Sequence, residues 1–398
     1  MIRTGRSRFI TSLLALVLGI ACLNGQQTNP LYPSPGAGDS PDNPGPLARN
    51  LSPALKPAAV AKAMRKVGDW ELSHSRKYFS QDWTFAALYR GYIAAANALP
   101  EKRYTREMVA VGNKFNWTLG KRKTMGDDQA IGYMYLELYR QEHESRMLEP
   151  TKAQFEHLPP PPDVCTESCP PWHDNNTPVW WWCDGLFMAP PVWAEFANAT
   201  GNKEFLDRMD HDWWVTSDLL YDPNEHLYAR DESYLDKHES NGKKIFWSRG
   251  NGWVIAGIAS VLDNLPPDYP SRPRYIEQFR QMSAKLASLQ GADGLWRPGL
   301  LNASAYPYPE VSGSAFYVYA MAWGIHHGIL DGPTYLPVVQ KGWAGLLSHV
   351  YEDGRLGSIQ PIGASPSPLQ PQTSYVFGVG AYLMAGSEVL TLSRRKKP

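Results

Sequence analysis

Asp184 follows three consecutive tryptophans, in the run Trp180-Trp181-Trp182-Cys183-Asp184-Gly185. A carboxyl group among indoles is poorly solvated, and poor solvation favours its neutral form. Such a group can act as a general acid at a pH where an ordinary aspartate is ionised. A second acidic point, Gly126-Asp127-Asp128-Gln129, offers a partner carboxylate, either Asp127 or Asp128. Two carboxyls, one acid and one base or nucleophile, are the equipment of a glycosidase. Spacing along the chain does not give the distance between Asp127 and Asp184, so retaining and inverting outcomes stay open. A third run, Trp247-Ser248-Arg249-Gly250-Asn251-Gly252-Trp253, sets an arginine between aromatics. An arginine so placed calls for an anionic partner. Guanidinium for an acid group and indole for a ring would together clamp a sugar that carries a carboxylate. Trp182, Trp247, Arg249, Asn251, Trp253, Asp128 and Trp83 are therefore the candidate substrate-binding residues, with Asp184 and Asp127 as the catalytic pair.

These runs recur at helix starts. Apolar stretches with helical periodicity make up most of the chain, and convincing strands are hard to find. Small polar or glycine-bearing motifs open helices near Asp82, Asp127, Asp184, Arg249, Ser312 and Thr373, at spacings of 45, 57, 65, 63 and 61 residues. Each interval has room for two helices. Second helices are expected at Lys203–Tyr221, Pro273–Gln290 and Tyr335–Tyr351, with Gly or Asp-Gly turns at their ends. A helical hairpin cannot bury its apolar face alone, so its neighbours must stack. Six hairpins of this length predict an all-α closed ring, an (α/α)6 barrel, with an open solenoid as the alternative. In a ring, the opening motifs would converge on one face. Asp and Ser at such positions are also ordinary helix caps. Capping does not explain why Trp, Asp and Arg coincide at corresponding places.

Composition narrows the function classes. The 398 residues carry 39 basic and 39 acidic side chains, for a formal net charge of zero. No basic stripe points to nucleic acid. The 15 Trp, 21 Tyr and 12 Phe are abundant, and aromatic faces stack on sugar rings. Residues 1–25 read as a signal peptide, with Arg3, Arg6 and Arg8 before an apolar stretch from Ile10 to Ala21. That stretch is too short for a membrane span. The protein is expected to be exported, periplasmic or secreted, and Gly19-Ile20-Ala21-Cys22 loosely fits lipid anchoring at Cys22. Residues 26–60, rich in Pro, Gly and Ser, read as a disordered linker, and 61–398 as the catalytic domain. In an oxidising compartment Cys165 and Cys169 should form a local disulfide. A metal there would need two more ligands, with His173 and Asp174 nearest. No metal or cofactor is expected. Cys183 reads as a buried, inert thiol. No motif speaks to the oligomeric state.

The segment from Trp180 to Gly257 resembles glycoside hydrolase family 105, the unsaturated rhamnogalacturonyl hydrolases. Its main carriers are Trp-Trp-Trp-Cys-Asp-Gly-Leu-Phe-Met-Ala (180–189) and Phe-Trp-Ser-Arg-Gly-Asn-Gly-Trp (246–253). Supporting stretches lie at 127–132, 310–314 and 375–383, so the likeness covers roughly residues 65–392. Family 88, the unsaturated glucuronyl hydrolases, is the nearest neighbour. The resemblance implies an (α/α)6 barrel acting on a lyase-generated oligosaccharide, here of rhamnogalacturonan, that ends in a uronate with a C4=C5 double bond. It implies hydration of that vinyl ether, with Asp184 as proton donor and Asp127 or Asp128 as second acid. Arg249 and Trp253 match residues of the uronate subsite and Trp182 a stacking residue. Some members carry a His-Gly-Trp-Asp-like segment where this chain reads Leu227-Tyr228-Ala229-Arg230-Asp231-Glu232-Ser233. Arg230 and Asp231 there either meet the leaving sugar or hold a loop. Two other readings remain: a conventional glycosidase on saturated glycans using Asp127 and Asp184, and a non-enzymatic sugar-binding protein. His326 and His327 read as structural.

Overall fold

The computed structural model describes residues 37–39, 43–158, 165–166, 168–174 and 176–395. The expected signal segment, Cys22 included, lies outside them. Among the described residues there are fourteen α-helices. Eight form the inner wall: α2 (Trp83–Ala98), α4 (Gly126–Gln129) leading into α5 (Gly132–Glu142), α7 (Gly185–Met188) leading into α8 (Pro190–Thr200), α10 (Ser248–Asn264), α12 (Val311–His326) and α14 (Val376–Arg394). The outer helices are α1 (Pro57–Ser75), α3 (Arg103–Lys114), α6 (Glu149–Glu156), α9 (Lys203–Leu220), α11 (Arg272–Ser288) and α13 (Gly332–Leu347). The inner wall packs in sequence, α2 on α5, α5 on α8, α8 on α10, α10 on α12 and α12 on α14, and α14 returns to α2. The ring is therefore closed: this is an (α/α)6 barrel, not a solenoid.

Closure depends on a close approach of α2 and α14. A methyl group on Gly91 would lie 2.5 Å from the Gly380 carbonyl oxygen, and one on Gly380 would collide with the Ala87 carbonyl. Only glycine lets these two backbones meet. By length and composition α14 could cross a membrane. Its apolarity has another cause: it is an inner helix, covered by α2, α12 and α1, so most of its side chains face protein.

The expected second helices are present with shifted ends. Asp331 caps α13 by accepting the Thr334 N–H at 2.9 Å, so that helix begins three residues before the expected Tyr335. The expected linker is corrected where it is described. Gly38–Asp39 pairs antiparallel with Ser374–Tyr375. The Ala48 N–H donates to the Val350 carbonyl at 2.8 Å, and the Glu352 N–H to that of Pro46 at 2.9 Å. Helix α1 then begins at Pro57. Composition signalled freedom, but backbone pairing with the last two hairpins fastens these residues. His326 and His327 lie at the last turn of α12; His326 meets Glu388 at 3.0 Å and His327 stacks on Trp323.

Candidate active site

The helix starts use their acidic residues differently. At α2, Asp82 accepts hydrogen bonds from the Thr84 N–H and hydroxyl, at 2.9 and 2.7 Å. At α12, Glu310 accepts from the N–H groups of Ser312 and Gly313 at 3.1 and 2.6 Å, and from that of Gln360 at 3.1 Å. Both are working caps. Asp184 stands at the same place before α7, yet its side chain caps nothing. Its residue is only 8% exposed, and Oδ1 is buried without a hydrogen-bond partner. A buried carboxylate oxygen left without a partner is costly in the ionised form. Burial accordingly pushes the Asp184 carboxyl up to about 6, against the opposing pull of Arg230 and Arg249.

The short helix α4, which carries Asp127 and Asp128, packs on α7. The geometry separates the two aspartates. Asp128 is tied to Arg122, accepting from its backbone N–H at 2.8 Å and from guanidinium nitrogens at 2.9 and 2.5 Å. Asp127 is buried, and burial pushes its carboxyl up to about 7, with Asp82, Asp184 and Asp128 adding to the rise and Arg122 opposing it. Two buried carboxyls that feel each other, both protonatable near neutral pH, suit proton transfer at a substrate atom.

A second segment is zipped onto the Asp184 loop. The Cys183 N–H donates to the Arg230 carbonyl at 2.8 Å, and Trp182 and Asp231 form an antiparallel bridge. This brings the Arg230 guanidinium to the catalytic candidate, with Nε 3.8 Å from Asp184 Oδ2. Arg230 Nη1 donates to buried Asp231 at 2.6 Å, and the guanidinium lies 5.1 Å from the Trp181 ring centre. Trp181 in turn contacts Trp182 and, edge-on, the exposed Trp172. In the sequence Arg230 and Asp231 fit either of two roles, and nothing singles out Trp172 or Trp181 as site residues. The signal for Arg230 lay in its pairing with the Trp182–Cys183 backbone, which only the fold reveals.

The other predicted residues fall behind this front. Arg249 was expected to face a bound anion. Instead it is 1% exposed, and its terminal nitrogens donate to the carbonyls of Gln360 and Pro361, each at 2.8 Å. Its charge is met by Glu310 at 3.9 Å and by the faces of Trp247 and Phe377. The backbone of a loop over a hundred residues downstream has taken the donors the sequence offered to substrate. Trp247 joins the same strut, its indole N–H donating to Gln360 Oε1 at 3.0 Å. Asn251 is fully buried and pairs both ways with the Tyr228 backbone, which holds the segment leading to Arg230. Trp253 packs among Phe187, Phe316 and half-buried Trp83, with 1% exposure, as core under the site. Gln360, which anchors Trp247 and whose loop engages Arg249, carries no motif that would have announced it.

Cys165 and Cys169 are joined in a disulfide. Cys183 is buried and free, and burial holds its thiol well above the usual range. A methyl on Gly250 would come within 2.9 Å of its sulfur, so this thiol fills packing space between α7 and α10. The His173 ring and the Asp174 carboxylate are engaged within their own loop. Among the described residues no three His, Cys, Asp or Glu side chains are placed to hold a metal.

A closed (α/α)6 ring with two protonatable aspartates at the starts of neighbouring inner helices defines a carbohydrate-active enzyme class. The chain belongs to Glycosyl Hydrolase Family 88, whose family model matches residues 58–393, and it is a glycoside hydrolase. An unsaturated 3S-rhamnoglycuronyl hydrolase from Formosa agariphila is 39% identical over 350 residues, 85% of this chain and 92% of that protein. A protein of the same description from an Alteromonas species is 35% identical over 77% of each chain. A solved family 88 glycosyl hydrolase from Bacteroides vulgatus superposes with a TM-score of 0.77 at 27% identity, covering 84% of this chain and 99% of its own. The motif resemblance to family 105, with family 88 beside it, is thereby placed on the family 88 description.

Proposed function

We propose that this enzyme removes the unsaturated uronate from the non-reducing end of lyase-generated oligosaccharides by hydrating its C4=C5 double bond, with Asp184 as proton donor. The observation that carries the reading is the state of Asp184: buried, uncapped, with one oxygen unpartnered and its carboxyl pushed up to about 6. A group in that state holds a proton to give. The proton goes to C4, leaving positive charge shared by C5 and the ring oxygen. Water adds at C5 and returns a proton to Asp184. The hemiketal opens by breaking its C5–O5 bond, giving a C5 ketone and a hemiacetal at C1; the hemiacetal collapses to an aldehyde, and its hydroxyl proton passes to the oxygen of the leaving sugar. Asp127 lies on the adjoining helix and suits hydrogen bonding to the sugar's hydroxyls.

The leaving sugar is proposed to be rhamnose, as the names of the two relatives suggest. The expected rhamnogalacturonan origin and the relatives' rhamnoglycuronyl substrates are chemically close. The double bond erases the configuration at C4, so galacturonyl and glucuronyl fragments yield the same terminal ring. The export reading is proposed as well. A local disulfide at Cys165–Cys169 supports an oxidising compartment. The test is a panel of lyase products, rhamnoglycuronan and rhamnogalacturonan fragments first, followed by ultraviolet absorbance of the conjugated uronate. Loss of absorbance is expected for rhamnose-linked fragments; persistence across the panel would sink the reading.

A further inference from the structure

A hydratase of this kind must meet the carboxylate on C5 of its substrate while keeping its proton donor neutral. The two arginines near Asp184 differ in what they can still offer. Arg249 Nε is also buried without a partner, but both terminal nitrogens are bound to backbone carbonyls, so neither edge of its fork has two unengaged nitrogens. Arg230 uses only Nη1, on Asp231. Among the described residues no hydrogen bond engages its Nε or Nη2, and Nε is buried without a partner. Those two nitrogens form one edge of the guanidinium, the edge that takes a carboxylate through two parallel hydrogen bonds. Its side chain is 18% exposed against 1% for Arg249. Asp231 holds the far end of the guanidinium, is itself buried, and accepts the Ser233 N–H at 2.9 Å, so the free edge is presented in a fixed orientation.

We propose that Arg230 is the guanidinium that receives the substrate's carboxylate, exchanging its contact with Asp184 for one with the uronate. The inference rests on the hydratase reading above. It makes Arg230 a binding residue and also a coupling between binding and proton supply. In the free enzyme the positive charge beside Asp184 favours the ionised donor. A bound uronate neutralises that charge and adds a like charge nearby, so Asp184 takes up its proton when substrate arrives. Arg249 is left as the strut that holds the Gln360 loop.

A substrate-by-variant cycle tests this. The unsaturated oligosaccharide and its uronate methyl ester are compared on wild type and on Arg230→Gln, reading kcat/KM. Wild type should prefer the free acid by about 100-fold, the range of a charge-assisted bidentate pair. Arg230→Gln should prefer it by less than about threefold, because the lost group and the lost charge act on each other. Equal preference in both enzymes overturns the proposal. The pH profiles give a second reading that a merely structural residue would not move. In wild type the pKa seen in kcat should lie above that in kcat/KM, which reports free enzyme. In Arg230→Gln the kcat/KM value should rise to meet it; an unchanged gap overturns the proposal. If the Gln variant does not fold, Arg230→Lys, which keeps charge and loses the fork, should cut the acid-over-ester preference by about tenfold. No cut overturns the assignment. Wild type inactive on every lyase product would instead refute the proposed function, and is distinguishable.

Discussion

Replacing Asp184 by asparagine should abolish turnover and make the protein more stable at neutral pH. The folded state pushes this carboxyl from the usual 3.8 to about 6, a net effect that already includes the attraction of Arg230 and Arg249. An aspartate whose folded pKa lies above its unfolded value binds its proton more tightly when folded. The associated stability is fully present below about pH 4, declines as pH rises towards 6, and is absent above that. A shift of about two pH units corresponds to about 3 kcal/mol. Asparagine has nearly the same shape and no charge, so Asp184→Asn should gain about 3 kcal/mol at pH 8, or roughly 4 °C in a chain of this size. At pH 4 the two proteins should unfold alike. Urea denaturation at the two pH values, with circular dichroism as the readout, measures both. A variant no more stable than wild type at pH 8 would mean that the ionised carboxylate is well accommodated. The account of Asp184 as a group held for proton donation would then be wrong.

Turnover should follow the same group. With a donor at about 6, kcat/KM should fall by about 50-fold between pH 6 and pH 8 and should not decline again just below pH 6; a symmetric bell with two limbs near 6 and 7 would instead indicate an acid–base pair of the conventional glycosidase type. Arg249→Ala should cost about 2–4 kcal/mol of stability in urea, because two buried carbonyls and Glu310 lose their partner. A raised KM with an unchanged unfolding midpoint would return Arg249 to the substrate. Asp128→Asn should leave the pH profile in place and loosen the Arg122 segment, seen as faster amide exchange at residues 120–128, since Asp128 serves Arg122; loss of turnover comparable to that of Asp184→Asn would make Asp128 the second acid.

The barrel was legible because its repeat is written in the chain. Six openings at similar intervals leave room for helix pairs, and helix pairs with one apolar face must stack. Asp184 stands out as a candidate for a local reason, a carboxyl behind three tryptophans, and the fold leaves it buried and uncapped. What the sequence could not show were partners distant in the chain. Arg249 reads as an anion clamp until the fold brings Gln360 and Pro361 to its terminal nitrogens. Asp127 and Asp128 are equivalent on paper, and Arg122 separates them only once the loop before α4 turns back. Arg230 looks like one residue of a loop until the bridge between Trp182 and Asp231 places it beside Asp184. The Pro- and Gly-rich approach to α1 reads as disordered because its partners, at 350–352 and 374–375, belong to the last two hairpins.

Proton transfer from Asp184 to a carbon of the double bond has its own spectroscopic signature. The most direct measurement follows ultraviolet absorbance and free leaving sugar together, in wild type and Asp184→Asn, on a lyase-generated rhamnose-linked fragment. Absorbance should be lost in step with sugar release in wild type, and neither should change with the variant. Sugar released while the absorbance of the freed uronate persists would show attack at the anomeric carbon with the double bond intact, and would contradict proton transfer to that bond.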